Sequence, residues 1–116
     1  SPTIVFEGDT PVLTLGAPGG AWIGVAILQV LLNVLEFGMG MQEAVMAPRF
    51  SATTDAIDIS NRIPRGVQKA VEAMGYQVNR QPISYAFAGV HGISLWDGVL
   101  QGGADPQRDG YVGSVA

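Results

Sequence analysis

The chain has 116 residues, 47% of them hydrophobic and only 14% charged, against a usual charged share of about 25%. That length fits one domain, or part of one, with enough chain to bury a core; it excludes separate catalytic and binding domains, and the shortage of charge implies surface covered by another chain. Six basic and ten acidic residues leave a net charge of −4, and Arg49, Arg62, Arg65, Lys69, Arg80 and Arg108 form no dense cluster, so nucleic acid is not an expected partner.

The chain opens Ser-Pro-Thr-Ile-Val, with neither an initiator Met nor a charged leader, and is expected to be a mature or truncated form. Thr3 to Phe6 and Val12 to Leu15 are short apolar runs separated by Glu7-Gly8-Asp9-Thr10-Pro11, which predicts a hairpin. Gly16-Ala17-Pro18-Gly19-Gly20 follows, too rich in glycine for the interior of a helix or strand. From Ala21 to Met39 the chain is apolar except for a stripe of Gln29, Asn33 and Glu36, spaced as neighbours on one helix face. A helix apolar on every other side belongs inside a layered fold. Trp22 to Phe37 is shorter than the roughly 20 apolar residues of a membrane span and carries polar groups in its middle.

Gly38-Met39-Gly40 ends that helix, Gln42 to Ala47 predicts a short second one, and Pro48 stops it. A strand is expected from Phe50 through Ile59. Val67, Ala70, Val71 and Met74 recur at helical spacing between Pro64 and Gly75, a start and a stop signal respectively. Tyr76 to Ile83 and Phe87 to Trp96 read as strands, and Asp97-Gly98 before Val99-Leu100 predicts a closing hairpin. With no internal repeat or linker, residues 1–116 read as a single domain or fragment. The order β-β-α-α-β-α-β-β-β indicates an α+β fold, a mixed sheet with packed helices.

The segment with most chemical content is Gly16-Ala17-Pro18-Gly19-Gly20. Two successive glycines just before a helix offer backbone N–H groups that no side chain obstructs, the arrangement of an oxyanion hole. The loop lacks the Lys and Ser/Thr of a phosphate-binding loop and the glycine spacing of a dinucleotide site; the same glycines are also ordinary turn formers. Without cysteine there is no thiol nucleophile, disulfide or cysteine zinc site, and the compartment is not defined. No cofactor or metal is expected.

Taken with Ser1-Pro2-Thr3-Ile4-Val5, Val30-Leu31-Leu32-Asn33-Val34-Leu35-Glu36-Phe37-Gly38-Met39, Gln42-Glu43-Ala44-Val45-Met46-Ala47-Pro48-Arg49-Phe50 and Gly103-Ala104-Asp105-Pro106-Gln107-Arg108-Asp109-Gly110, the glycine loop resembles the C-terminal part of the γ-glutamyltranspeptidases. The resemblance covers nearly the whole chain. It implies part of a four-layer αββα N-terminal-nucleophile hydrolase fold, the C-terminal portion of the small catalytic subunit of a precursor that cleaves itself. It further implies γ-glutamyl transfer or hydrolysis of glutathione-type amides through an acyl-enzyme on an N-terminal Thr. That nucleophile lies outside this chain, and the implied partners are the remainder of the small subunit and the large subunit. A periplasmic or secreted location follows from the resemblance only. Gly19 and Gly20 match the family's paired oxyanion-hole glycines; Ala17 stands where a Ser is common, removing a hydroxyl. The isolated chain is expected to be inactive and free to self-associate through its apolar faces. The alternatives are a non-catalytic structural or interaction module of the same fold, and a related cephalosporin-acylase-like amidohydrolase.

Other candidates weigh less. Ser1 has an α-amine as a ready base, but Pro2 stiffens it and the resemblance puts it in a strand beyond the nucleophile. His91, the sole histidine, lacks the companions of a metal site and is expected to be structural. Asp105, Gln107, Asp109 and Gly110 echo a calcium loop whose twelfth position is Ala116 instead of Glu; a turn with solvated charges is expected there. Asp55 and Asp58, three apart in a presumed strand, point to opposite faces and read as surface residues. Trp22 and Trp96 read as packing residues.

Overall fold

The computed structural model describes residues 2–83 and 86–115. Strands β1 (Thr3–Glu7) and β2 (Thr10–Gly16) form the expected hairpin, pairing Thr3 with Leu15 and Val5 with Leu13 before the register shifts between Val5 and Phe6. The closing hairpin, β6 (His91–Trp96) and β7 (Val99–Ala104), turns at Asp97 (φ 51°) and Gly98 (φ 77°); positive φ at both turn residues matches the right-handed twist of the strands. β2 pairs with β6, so the hairpins join in a four-stranded antiparallel sheet of order β1-β2-β6-β7.

Helix α1 (Ile23–Leu35) and the short α2 (Met41–Met46) cover one face of that sheet. Leu13 and Leu15 of β2, Ala26, Ile27, Val30 and Val34 of α1, and Met41, Ala44 and Val45 of α2 form the core, with Ala88 and Val90 closing it. With 3.6 residues per turn, α1 places only one side inward; Leu28, Leu32 and Leu35 stay exposed. The polar stripe is not solvated as a whole. Gln29 exchanges bonds with the backbone of Phe50 (2.7 and 3.0 Å), and Asn33 donates to the Ala44 carbonyl (3.2 Å). These bonds tie α1 to its neighbours.

Gly103 lets α2 lie against β7: a Cβ there would stand 2.7 Å from the Met41 carbonyl oxygen and 2.8 Å from its carbon. Gly103→Ala is expected to lower stability by about 1–3 kcal/mol through overpacking, read as a lower urea midpoint at unchanged slope.

The run from Phe50 to Ile59 departs from expectation. It divides into β3 (Phe50–Ser51) and β4 (Ile57–Ile59), paired antiparallel. The physical reason is local: the Thr54 hydroxyl bonds both the Ala56 carbonyl (3.2 Å) and the Ala56 N–H (3.4 Å), a side-chain turn that competes with a ladder. Helix α3 (Arg65–Ala73) follows Pro64 as expected, then β5 (Val78–Arg80) runs parallel to β4. The strand expected from Tyr76 to Ile83 is thus reduced to its middle. The apolar stripe of α3 finds no core, for Val67 and Met74 are 50% and 73% exposed.

Phe87 to Val90 is not strand either. It is buried, but the Ala88 carbonyl and the Val90 N–H bond to the Arg49 and Asp105 side chains, which replace a ladder. The fold is α+β, with helices on one face of an antiparallel sheet and the mixed pairing confined to the small sheet β3-β4-β5. The far face of the large sheet carries Ile4, Ile93 and Leu100, all exposed.

Candidate oxyanion site

Strand β2 ends at Gly16, and one turn of 3₁₀-helix, Gly20–Trp22, leads into α1. Between them Gly19 has φ 135° and Gly20 φ 70°, conformations open to glycine and strained for other residues. Space adds a second demand at Gly19, where a Cβ would stand 2.7 Å from the Ala88 Cβ and 2.9 Å from its Cα. Nothing lies within 4 Å of a Cβ placed on Gly20. Both glycines are exposed, and neither N–H donates to a described residue. Free donors at the start of a helix lie at its partially positive end. Neither glycine lines the apolar groove between α1 and β3 or the concavity on the open sheet face. Ala17 packs against the edge of the core.

Beside this loop Trp22 stacks on Phe87, ring centroids 4.7 Å apart and planes at 25°. Trp22 is therefore a packing residue, as is Trp96 at the core edge.

Beneath Phe87 and Ala88 lies a buried network that sequence reasoning missed. Arg49, 2% exposed, forms an ion pair with Asp105, 0% exposed, and donates to the carbonyls of Val45 (2.9 Å) and Ala88 (2.8 Å). Asp105 also accepts the N–H of Val90 (3.0 Å), the N–H of Gln107 (3.0 Å) and the Gln107 side-chain amide. Its own N–H donates to His91 Nδ1 at 3.2 Å, which requires that nitrogen to be unprotonated. Nearby, Gln42 bonds both the N–H and the carbonyl of Ala104 (2.9 Å each). The only advance signal was an Arg beside Pro48 and an Asp before Pro106 in a chain poor in charge; nothing in their spacing joins them.

Asp105 and Gln107 are thus buried, correcting the expectation of solvated charges. The segment is a turn nonetheless, Arg108 N–H bonding the Asp105 carbonyl at 3.0 Å, and the Asp105 carboxylate is fully engaged. Asp55 and Asp58 do not share a strand: Asp55 is exposed in the turn, and Asp58, in β4, accepts from Gln81 at 3.0 Å. Ser1 lies outside the described residues. Among the described residues no three His, Asp or Glu side chains gather as a metal site, and no helix is long and apolar enough to cross a membrane.

Comparison with known proteins adds an independent line. The family description of the γ-glutamyltranspeptidases matches residues 1–115. The glutathione hydrolase proenzyme of Bacillus subtilis (strain 168) is 33% identical over 111 residues, 95% of this chain and 19% of that protein. The acylase ACY 1 proenzyme of Pseudomonas sp. (strain SE83) is 32% identical over 111 residues, covering 95% and 20%. Among solved structures, a mutant γ-glutamyltranspeptidase of Helicobacter pylori superposes with a TM-score of 0.84 at 35% identity, over 93% of this chain and 60% of that one. The cephalosporin acylase of Bacillus halodurans superposes at 0.93 with 27% identity, over 99% and 22%. The chain therefore spans about a fifth of the length of the curated relatives it matches.

Proposed function

Since the chain belongs to the γ-glutamyltranspeptidase family, with the α+β fold of part of an N-terminal-nucleophile hydrolase, we propose that it is the C-terminal portion of a catalytic small subunit and supplies the oxyanion loop of a γ-glutamyl transferase or hydrolase. The observation that carries this is the pair of consecutive N–H groups at Gly19 and Gly20, unengaged by described residues at the head of α1. A hydroxyl nucleophile, a Thr outside this chain, attacks the amide carbonyl; the carbonyl oxygen gains negative charge, and N–H donors held beside it lower the barrier. Collapse expels the amine and leaves an acyl-enzyme, which water or a second amine resolves.

The remainder of the small subunit and the large subunit are the partners of this reading. The exposed Leu28, Leu32 and Leu35 of α1 and the exposed Ile4 and Ile93 of the sheet supply apolar surface for them. The full-length protein that carries this chain is expected to hydrolyse a γ-glutamyl anilide, while the isolated chain does not; comparable turnover by the isolated chain would overturn the division of labour. A second reading, a cephalosporin-acylase-like amidohydrolase, is favoured by the likeness to the B. halodurans enzyme. A glutaryl anilide lacks only the α-amino group of the γ-glutamyl one. Preference for it would select the acylase reading, and turnover of neither by a folded full-length protein would leave a non-catalytic module.

A further inference from the structure

We propose that the buried segment Phe87–Val90 is the template that sets the shape of the Gly19–Gly20 loop, with Ala88 and Phe87 as its positioning residues. The proposal rests on the oxyanion reading for its catalytic consequence but not for its structural content. The loop is gripped on either side of Gly20. On one side Gly19 lies so close to Ala88 that a Cβ would come within 2.9 Å of the Ala88 Cα, and Ala88 is buried in the core, 1% exposed. On the other, the Trp22 ring is stacked on Phe87 at 4.7 Å. Gly20, between the two contacts, has open space around it.

The template is itself held by side chains. Arg49 grips the Ala88 carbonyl at 2.8 Å, Asp105 grips the Val90 N–H at 3.0 Å, and the two grips are joined by the Arg49–Asp105 ion pair. Its position along the chain direction is therefore set by a buried charged network, against which close-packed neighbours cannot slide freely. Arg49 and Asp105, from the Ala-Pro-Arg-Phe and Ala-Asp-Pro segments, thus act on the glycine loop through Ala88.

Donor placement is sensitive to displacement on the scale of one ångström, worth on the order of 100-fold in rate. In the full-length protein, Ala88→Val, whose added methyls press toward Gly19, is expected to lower kcat for a γ-glutamyl anilide about 10- to 100-fold while KM moves less than about threefold, since attack and not ground-state binding is disturbed. Ala88→Ser, close in size, is expected to retain activity. Crystal structures of the variants are read in parallel: Gly19 and Gly20 displaced by about an ångström in Ala88→Val, and in place in Ala88→Ser, support the template. A loop unmoved in Ala88→Val overturns it. A displaced loop in a protein whose parent shows no turnover upholds the template and overturns the oxyanion reading. A displaced loop with unchanged kcat upholds the template and removes the loop from the rate. Should Ala88→Val fail to fold, Phe87→Leu, which keeps bulk but loses the ring stack, is read by the same two measurements and judged by the same outcomes.

Discussion

Asp105→Ala is expected to destabilise the protein by about 3–5 kcal/mol, because it leaves the Arg49 guanidinium buried and without its counter-charge. Arg49 is 2% exposed and Asp105 0% exposed, so the guanidinium left behind is cut off from bulk solvent. The N–H groups of Val90 and Gln107 lose their acceptor in the same stroke, and an orphaned buried donor adds about 1–3 kcal/mol to the penalty where nothing moves to satisfy it. Asp105→Asn keeps the shape but not the charge and should fall between the parent and Asp105→Ala. The double change Arg49→Met with Asp105→Leu removes both charges and should recover the part of the loss that comes from the unpaired guanidinium, while the Val90 and Gln107 N–H groups stay without their acceptor. Urea unfolding of the three variants and the parent checks this. Asp105→Ala within about 1 kcal/mol of the parent would mean that the pair is solvated in solution and does not anchor the Phe87–Val90 segment.

In the full-length protein, and on the proposed oxyanion role of the loop, Gly20→Pro should reduce turnover of a γ-glutamyl anilide by about 100- to 1,000-fold, the effect of removing one oxyanion donor, or about 2.7–4 kcal/mol of transition-state stabilisation. Proline has no N–H, and it fixes φ near −65° where Gly20 has φ 70°, so a control must separate donor loss from backbone shape. Gly20→Ala keeps the N–H and meets nothing within 4 Å; its left-handed φ costs about 1–2 kcal/mol. The donor reading expects Gly20→Ala to lose far less activity than Gly20→Pro when both remain folded by thermal unfolding. Equal losses would assign the effect to loop geometry, and full activity of folded Gly20→Pro would remove this amide from the mechanism.

Both hairpins were legible because their turns are encoded locally: Asp97-Gly98 tolerates positive φ at both positions, and the apolar runs on either side alternate in step. The start of α1 behind paired glycines was legible for the same reason. So was the family, since short motifs in a fixed order survive as words along the chain.

The buried meeting of Arg49 with Asp105 was not legible, although each lay inside a recognised motif. They are 56 residues apart, and no periodicity or propensity couples positions at that distance. The interruption of the run from Phe50 to Ile59 depended on one hydroxyl bonding locally in place of a ladder, a balance of about 1 kcal/mol. Phe87 to Val90 reads as strand by composition, yet two charged side chains take the place of a neighbouring strand.

By itself the sequence determined the local turns, the helix starts and stops, the two glycines capable of unusual φ, and the family to which they belong, because each is written within a few adjacent residues. Tertiary structure alone decided that Ala88 presses on Gly19, that Arg49 and Asp105 are buried together, and that one side of α1 and the stripe of α3 remain uncovered by this chain. Those outcomes come from the packing of segments distant along the chain, where burial removes water and lets a single ion pair set the register that local preferences leave open.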